Sequence, residues 1–191
     1  MSTLKKSLIF SLAVLPIAIV AIVFVCLYQF EMYPPEILEE AVAQVGSRAI
    51  VLIITVVQNV GLIMFCSFFG CILAEKLGLW KPIKFDKRDL TVTLILSVIA
   101  GIIFSLDYWT FGNLIDGIKE STAAGMTIYG IIASILYGGI IEEILMRLFV
   151  MSLIAFLISK IFFKKREDVP AKVFVIANIV AALLFAAGHL P

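Results

Sequence analysis

The chain reads Gly-Gly-Ile-Ile-Glu-Glu-Ile-Leu-Met-Arg over residues 138–147, which sets Glu142, Glu143 and Arg147 among strongly apolar neighbours. Charged side chains inside a membrane span cost at least about 2.5 kcal/mol each, and they usually face a polar cavity. Two carboxylates side by side without two cations do not both ionise comfortably. One of them is expected to hold a proton and to serve as general acid or base. On a helix Glu143 and Arg147 share a face and are expected to pair, whereas Glu142 lies about 100° round the axis and stays free. A packing ion pair between helices accounts equally well for one Glu and one Arg, but it leaves the second Glu without a role.

The only histidine, His189, closes the run Leu-Leu-Phe-Ala-Ala-Gly-His. A lone histidine near the end of a span is more often interfacial or hydrogen-bonded than a ligand. Loop counting changes its standing: Glu143 is 17 residues before Lys160 and His189 is 17 residues after Lys172. Antiparallel neighbouring helices would bring the two to one level. Phe185, one turn before His189, shares its face, and Asn178 falls within about 20° of it on a 3.6-residue period. Ala181, Ala182 and Gly188 keep the surroundings small.

The elements that must position these residues are membrane spans. Hydrophobic residues make up 62% of the 191 and charged residues 15%, with a mean hydropathy of +1.13. A soluble domain has roughly 45–50% and about 25%, so a water-soluble fold is excluded. Apolar stretches run over 7–30, 49–74, 90–106, 121–159 with the charged patch inside it, and 173–188. The fold expected is an all-α, polytopic transmembrane helix bundle of about five spans, since helices hide their own backbone polar groups in lipid. Residues 1–120 are expected to hold spans 1 to 3 and their loops, and 121–191 the region with the unusual charges. A straight helix over 121–160 would be roughly 60 Å long, about twice a hydrocarbon core. Gly125, Gly130 and Gly138-Gly139 offer places for a bend or a close approach.

The segments between spans alternate in sign. Lys5 and Lys6 precede the first span; Glu31, Glu36, Glu39 and Glu40 follow it; Lys76, Lys81, Lys84, Lys87 and Arg88 follow the second. The third loop is acidic, with Asp107, Asp116 and Glu120, and the fourth is basic, with Lys160, Lys164, Lys165, Arg166 and Lys172. Twelve of the fifteen basic residues therefore fall on one side, which the positive-inside rule makes cytoplasmic together with the amino terminus. Tyr28, Tyr33, Trp80, Tyr108 and Trp109 stand near span ends as interfacial anchors. Pro34-Pro35, Gly78 and Pro82 read as turn punctuation. Cys26, Cys66 and Cys71 lie inside apolar runs and read as small buried hydrophobes.

The pattern Glu142-Glu143-x-x-x-Arg147 followed by Phe185-x-x-x-His189 resembles the first two motifs of the CPBP family, the CAAX protease and bacteriocin-processing intramembrane endopeptidases, also called Abi. The likeness runs from about Gly125 onward. It implies a membrane-embedded endopeptidase in which Glu142 activates water against a peptide carbonyl. Glu143 and His189 would complete the polar site, Arg147 would fix the acidic pair, and Phe185 and Asn178 would support it. Family members are described as metalloproteases, so zinc or another divalent metal is implied, with His189 the best candidate ligand; a metal-free Glu/His site is the other expectation. The substrates implied are membrane-associated peptides or proteins, prenylated CAAX-like or bacteriocin-leader in type. A third motif, His-x-x-x-Asn or His-x-x-x-Asp, is expected after the second and does not occur before Pro191. The chain accordingly reads as a piece of a longer protein.

Two other classes compete: a non-catalytic bacteriocin self-immunity or membrane scaffold protein of the same fold, and an ion or proton carrier using the buried acids. The sequence has no HExxH, no supported Ser-His or Cys-His pairing and no phosphate-binding glycine loop. Basic residues are explained by topology, so membrane lipid is an expected partner and nucleic acid is not. The expected location is a bacterial plasma membrane.

Overall fold

The computed structural model describes residues 1–81, 86–112, 114–115, 119, 125, 127–163 and 168–189. Every regular element among them is helical. They are α1 (Thr3–Met32), α2 (Pro35–Val45), α3 (Arg48–Lys76), α4 (Lys87–Ser105), the single turn α5 (Asp107–Thr110), α6 (Ile128–Phe162) and α7 (Ala171–Ala187). Four of these, α1, α3, α4 and α6, are long and apolar enough to cross a membrane, and α7 is a shorter apolar helix. The polytopic bundle expected from hydropathy is the observed fold class.

Side-chain oxygens start several helices by accepting orphan backbone N–H groups. Ser47 accepts from Ile50 at 3.3 Å, Asp86 from Arg88 at 2.8 Å and Thr127 from Gly130 at 3.1 Å. The first acidic loop, read from sequence as a connection, is largely the amphipathic helix α2. Pro35 opens it with φ already set for a helix, Glu36 sits in its first turn where the dipole favours an acid, and Gly46 ends it at φ 102°. Leu38 is its buried contact.

The chain divides into two compact units, one of residues 1–80 and 127–190, the other centred on 81–126. In the first, α1 packs on α3, α6 packs on both, and α7 lies against α6. Its core mixes small and β-branched residues: Ala18, Ala21, Ile22 and Cys26 of α1, Ile63 of α3, and Ile141 and Ile144 of α6. Ser11 and Ser67 are buried there and bond to each other at 3.0 Å. Large apolar residues such as Val57, Leu62, Ile135 and Leu183 instead face outward. Small and hydroxyl residues inside with bulky ones outside is the arrangement of helices packing in lipid, where apolar contact with a neighbour gains little over contact with acyl chains.

Gly70 of α3 is the tightest helix crossing; a Cβ there would stand 2.9 Å from the Leu148 carbonyl oxygen of α6. Gly130 plays the same part for the Tyr28 ring, at 3.0 Å, so Tyr28 packs on a helix as well as standing near a span end. Trp80 likewise meets Phe10 edge to face, with centroids 5.2 Å apart.

The helix α6 does not break at Gly138-Gly139. Its backbone widens instead into π winding over Ser134–Ile141 and again over Ile144–Met151. The Glu142 N–H accordingly reaches back to the Tyr137 carbonyl. Such winding is rare and recurs at functional sites. The paired acids occupy the short stretch between the two widened segments.

Candidate active site

Two antiparallel helices supply the polar residues: α6 carries Glu142, Glu143 and Arg147, and α7 carries Asn178, Phe185 and, just past its end, His189. The expected i,i+4 pair forms, with Arg147 Nε 2.8 Å from Glu143 Oε2. Arg147 Nη1 also donates to Asn178 Oδ1 at 3.1 Å, so one guanidinium ties the acid to the neighbouring helix. Sequence periodicity put Asn178 on the face of His189; in space its partner is Arg147.

His189 meets the other acid. Its Nε2 stands 3.7 Å from Glu142 Oε1, while Nδ1 lies 2.8 Å from the Phe185 carbonyl oxygen. A carbonyl only accepts, so Nδ1 is the donor in that contact, and Nε2 is turned toward Glu142. At 3.7 Å Nε2 and Oε1 are too far apart for a direct hydrogen bond, and both are within reach of one shared water. The Phe185 ring covers the imidazole with centroids 4.2 Å apart. Depth counting matched Glu143 to His189; the neighbouring Glu142 is the residue brought there.

Beside Glu142, Glu143, Arg147, Asn178 and Phe185 lies a cavity of about 210 Å³ that they line. Gly138, Ala181, Ala182 and Met146 supply its small or flexible wall beside the polar groups. Gly138 is one turn before Glu142, and a Cβ on it would approach Glu142 Oε2 to 3.7 Å. The sequence offered this glycine as a place for a bend or a close approach. Its spacing of four from Glu142 was the available signal that it leaves room over the carboxylate.

The donor set for a metal is short. Catalytic zinc commonly takes three protein ligands and a water; Glu142 and His189 offer two, and Glu143 is held by Arg147. No group of three His, Cys, Asp or Glu that could hold a metal is found among the described residues. The residues described therefore do not fit a three-ligand catalytic zinc site.

Fold and site together define a multi-pass integral membrane protein with two carboxylates and an arginine lining a cavity between two of its helices and a histidine approaching one of those carboxylates. Residues 124–191, just over a third of the chain, match the family model described as Rce1-like, type II CAAX prenyl endopeptidase Rce1-like. The match covers both motifs, and with it the resemblance to CAAX-type intramembrane proteases is supported at family level. No curated protein and no solved structure matches the chain.

Proposed function

We propose that this chain is an intramembrane endopeptidase in which Glu142 and His189 activate a water against a peptide bond. The observation that carries this reading is the approach of Glu142 Oε1 to His189 Nε2, 3.7 Å apart, with Glu142 itself lining a cavity. Water bound between them gives a proton to Glu142 as its oxygen bonds to the carbonyl carbon. When the C–N bond breaks, the leaving nitrogen takes that proton from Glu142. His189, fixed by Phe185, orients the water through Nε2, and Arg147 keeps Glu143 from competing for it. The family match supports a peptide substrate at the membrane, and we take a prenylated, CAAX-like carboxy terminus as the first substrate to try, with a bacteriocin leader next.

The test is cleavage of a farnesylated carboxy-terminal reporter peptide by the full chain in lipid vesicles. Glu142→Gln should lower kcat by at least about 100-fold, the scale of general acid–base catalysis, and His189→Ala should do the same. Full activity in both variants would sink the mechanism, and no cleavage by the native chain would favour a non-catalytic immunity or scaffold role. Cleavage that survives a strong chelator would favour the metal-free Glu/His site. Loss on chelation with recovery on added zinc would instead make His189 and Glu142 metal ligands.

A further inference from the structure

The seam where α3 crosses α6 is marked by side-chain contacts at two heights. Deep in it Phe65 of α3 meets Phe149 of α6 edge to face, with centroids 5.8 Å apart, and Phe69 lies beside Phe65 at 4.6 Å. Both α3 rings face out of the bundle, Phe65 being 51% and Phe69 43% exposed. At the end of the seam Lys76 closes α3 and Lys160 stands in the last turn of α6. Their ammonium groups lie over one ring, that of Phe156 of α6, each 5.7 Å from its centroid. The two cations are therefore no further apart than twice that distance.

A lysine in the last turn of a helix is favoured by the negative end of the dipole, which accounts for each cation singly. It does not account for two of them meeting over one ring. The acid nearest in sequence, Glu75, is already paired with Lys6, and neither Lys76 nor Lys160 has a carboxylate within ion-pair distance among the described residues. The ring face attracts each cation but leaves two like charges close together, and an anion between them would turn repulsion into attraction. On α3 Phe65 and Lys76 are eleven residues apart, which puts them within about 20° on one face and about 16 Å apart along the axis. The hydrocarbon of one leaflet is about as deep, half of a core of roughly 30 Å.

We propose that this seam holds one anionic phospholipid, with its phosphate between the Lys76 and Lys160 ammonium groups and an acyl chain along Phe69, Phe65 and Phe149. Two cations without a carboxylate partner at the span ends, above an apolar strip one leaflet deep, match such a molecule in charge and in length. A soluble anion would leave the strip unused. Lipid bound there bridges α3 and α6 beside their close crossing at Gly70 and Leu148, and so braces the helix on which Glu142 and Glu143 stand. The inference does not depend on whether those acids cleave a substrate.

The test titrates the full chain in neutral detergent with dioleoyl phosphatidylglycerol, dioleoyl phosphatidylcholine or inorganic phosphate and follows Tm, which a ligand of the folded state raises. Phosphatidylglycerol should act at a mole fraction at least about tenfold lower than phosphatidylcholine, as two basic residues at an anionic headgroup allow, and phosphate should not act. Lys76→Gln and Lys160→Gln should each weaken the response by about fivefold, the scale of one such residue. Lys5→Gln makes the same charge change at an exposed position on α1 and should leave the response as it was. Dihexanoyl phosphatidylglycerol, whose chains stop short of Phe65, should bind less tightly than the dioleoyl lipid. Equal responses to the two dioleoyl headgroups, or an equal loss in Lys5→Gln, would overturn the site in favour of diffuse contact with the bilayer. Phosphate acting as well as lipid, or the dihexanoyl lipid binding as tightly as the dioleoyl, would overturn it in favour of an anion held by the lysines alone.

Discussion

Glu143 is bound to Arg147, and Arg147 to Asn178, whereas Glu142 faces His189. The guanidinium makes both of its contacts from one planar fork, which a lysine ammonium cannot reproduce. Arg147→Lys should therefore lower kcat by about tenfold or more, as loss of a supporting partner does, with less effect on KM; Asn178→Ala should give the same pattern more weakly. A change confined to KM would show that Arg147 binds substrate rather than positioning the acids. The i,i+4 spacing made the Glu143–Arg147 pair legible in the sequence. Loop counting brought His189 to the right depth but matched it to Glu143. Adjacent residues differ by only about 1.5 Å in height and by about 100° in direction, so depth alone cannot choose between them. The Arg147–Asn178 bond was illegible for the same reason, since it depends on how α7 is rotated against α6.

At the level of elements, hydropathy located α1, α3, α4, α6 and α7 because a run of apolar residues is sufficient cause for a helix in lipid. It passed over α2, whose signals are local: proline at the start, an acid in the first turn and a left-handed glycine at the end. The π winding of α6 left no sequence signal beyond the glycine pair inside it. The crossing at Gly70 was also silent, because only the partner backbone reveals which glycine is pressed. Gly70→Ala should show this directly. Its Cβ would meet a main-chain oxygen that cannot rotate aside, at 2.9 Å, so α3 and α6 must separate at a cost on the order of 1–3 kcal/mol. Thermal unfolding in detergent should record a lower Tm for Gly70→Ala and none for Gly61→Ala, where nothing lies within 4 Å. Equal Tm values for the two would mean that the crossing is looser than it stands here.

Across the molecule, contacts within the first unit decide which segments share an end. Lys6 at the start of α1 is paired with Glu75 at the end of α3, and Phe10 meets Trp80, so the amino terminus and the segment after α3 lie together. At the other end Tyr28, late in α1, packs on Gly130, early in α6. The chain leaves this unit at Trp80 and re-enters it at Thr127. In the second unit, α4 by itself has the length and composition to cross a membrane. Lys5 and Lys6 share an end with Lys76 in the last turn of α3. The expectation from the positive-inside rule, that this end is cytoplasmic, is open to a direct test. The native cysteines are buried, so single added cysteines can report sidedness in intact cells. Glu39→Cys and Lys119→Cys should react with an impermeant maleimide from outside, and Lys81→Cys and Asp168→Cys only after the membrane is opened. The reverse pattern would invert the molecule. A mixed pattern, with Glu39 and Lys119 on opposite sides, would mean that α4 does not cross. The Lys6–Glu75 pair supplies a second check on the shared end. Lys6→Ala and Glu75→Ala should each lower Tm, and the double variant should lose less than the two together, because partners in one ion pair do not act additively.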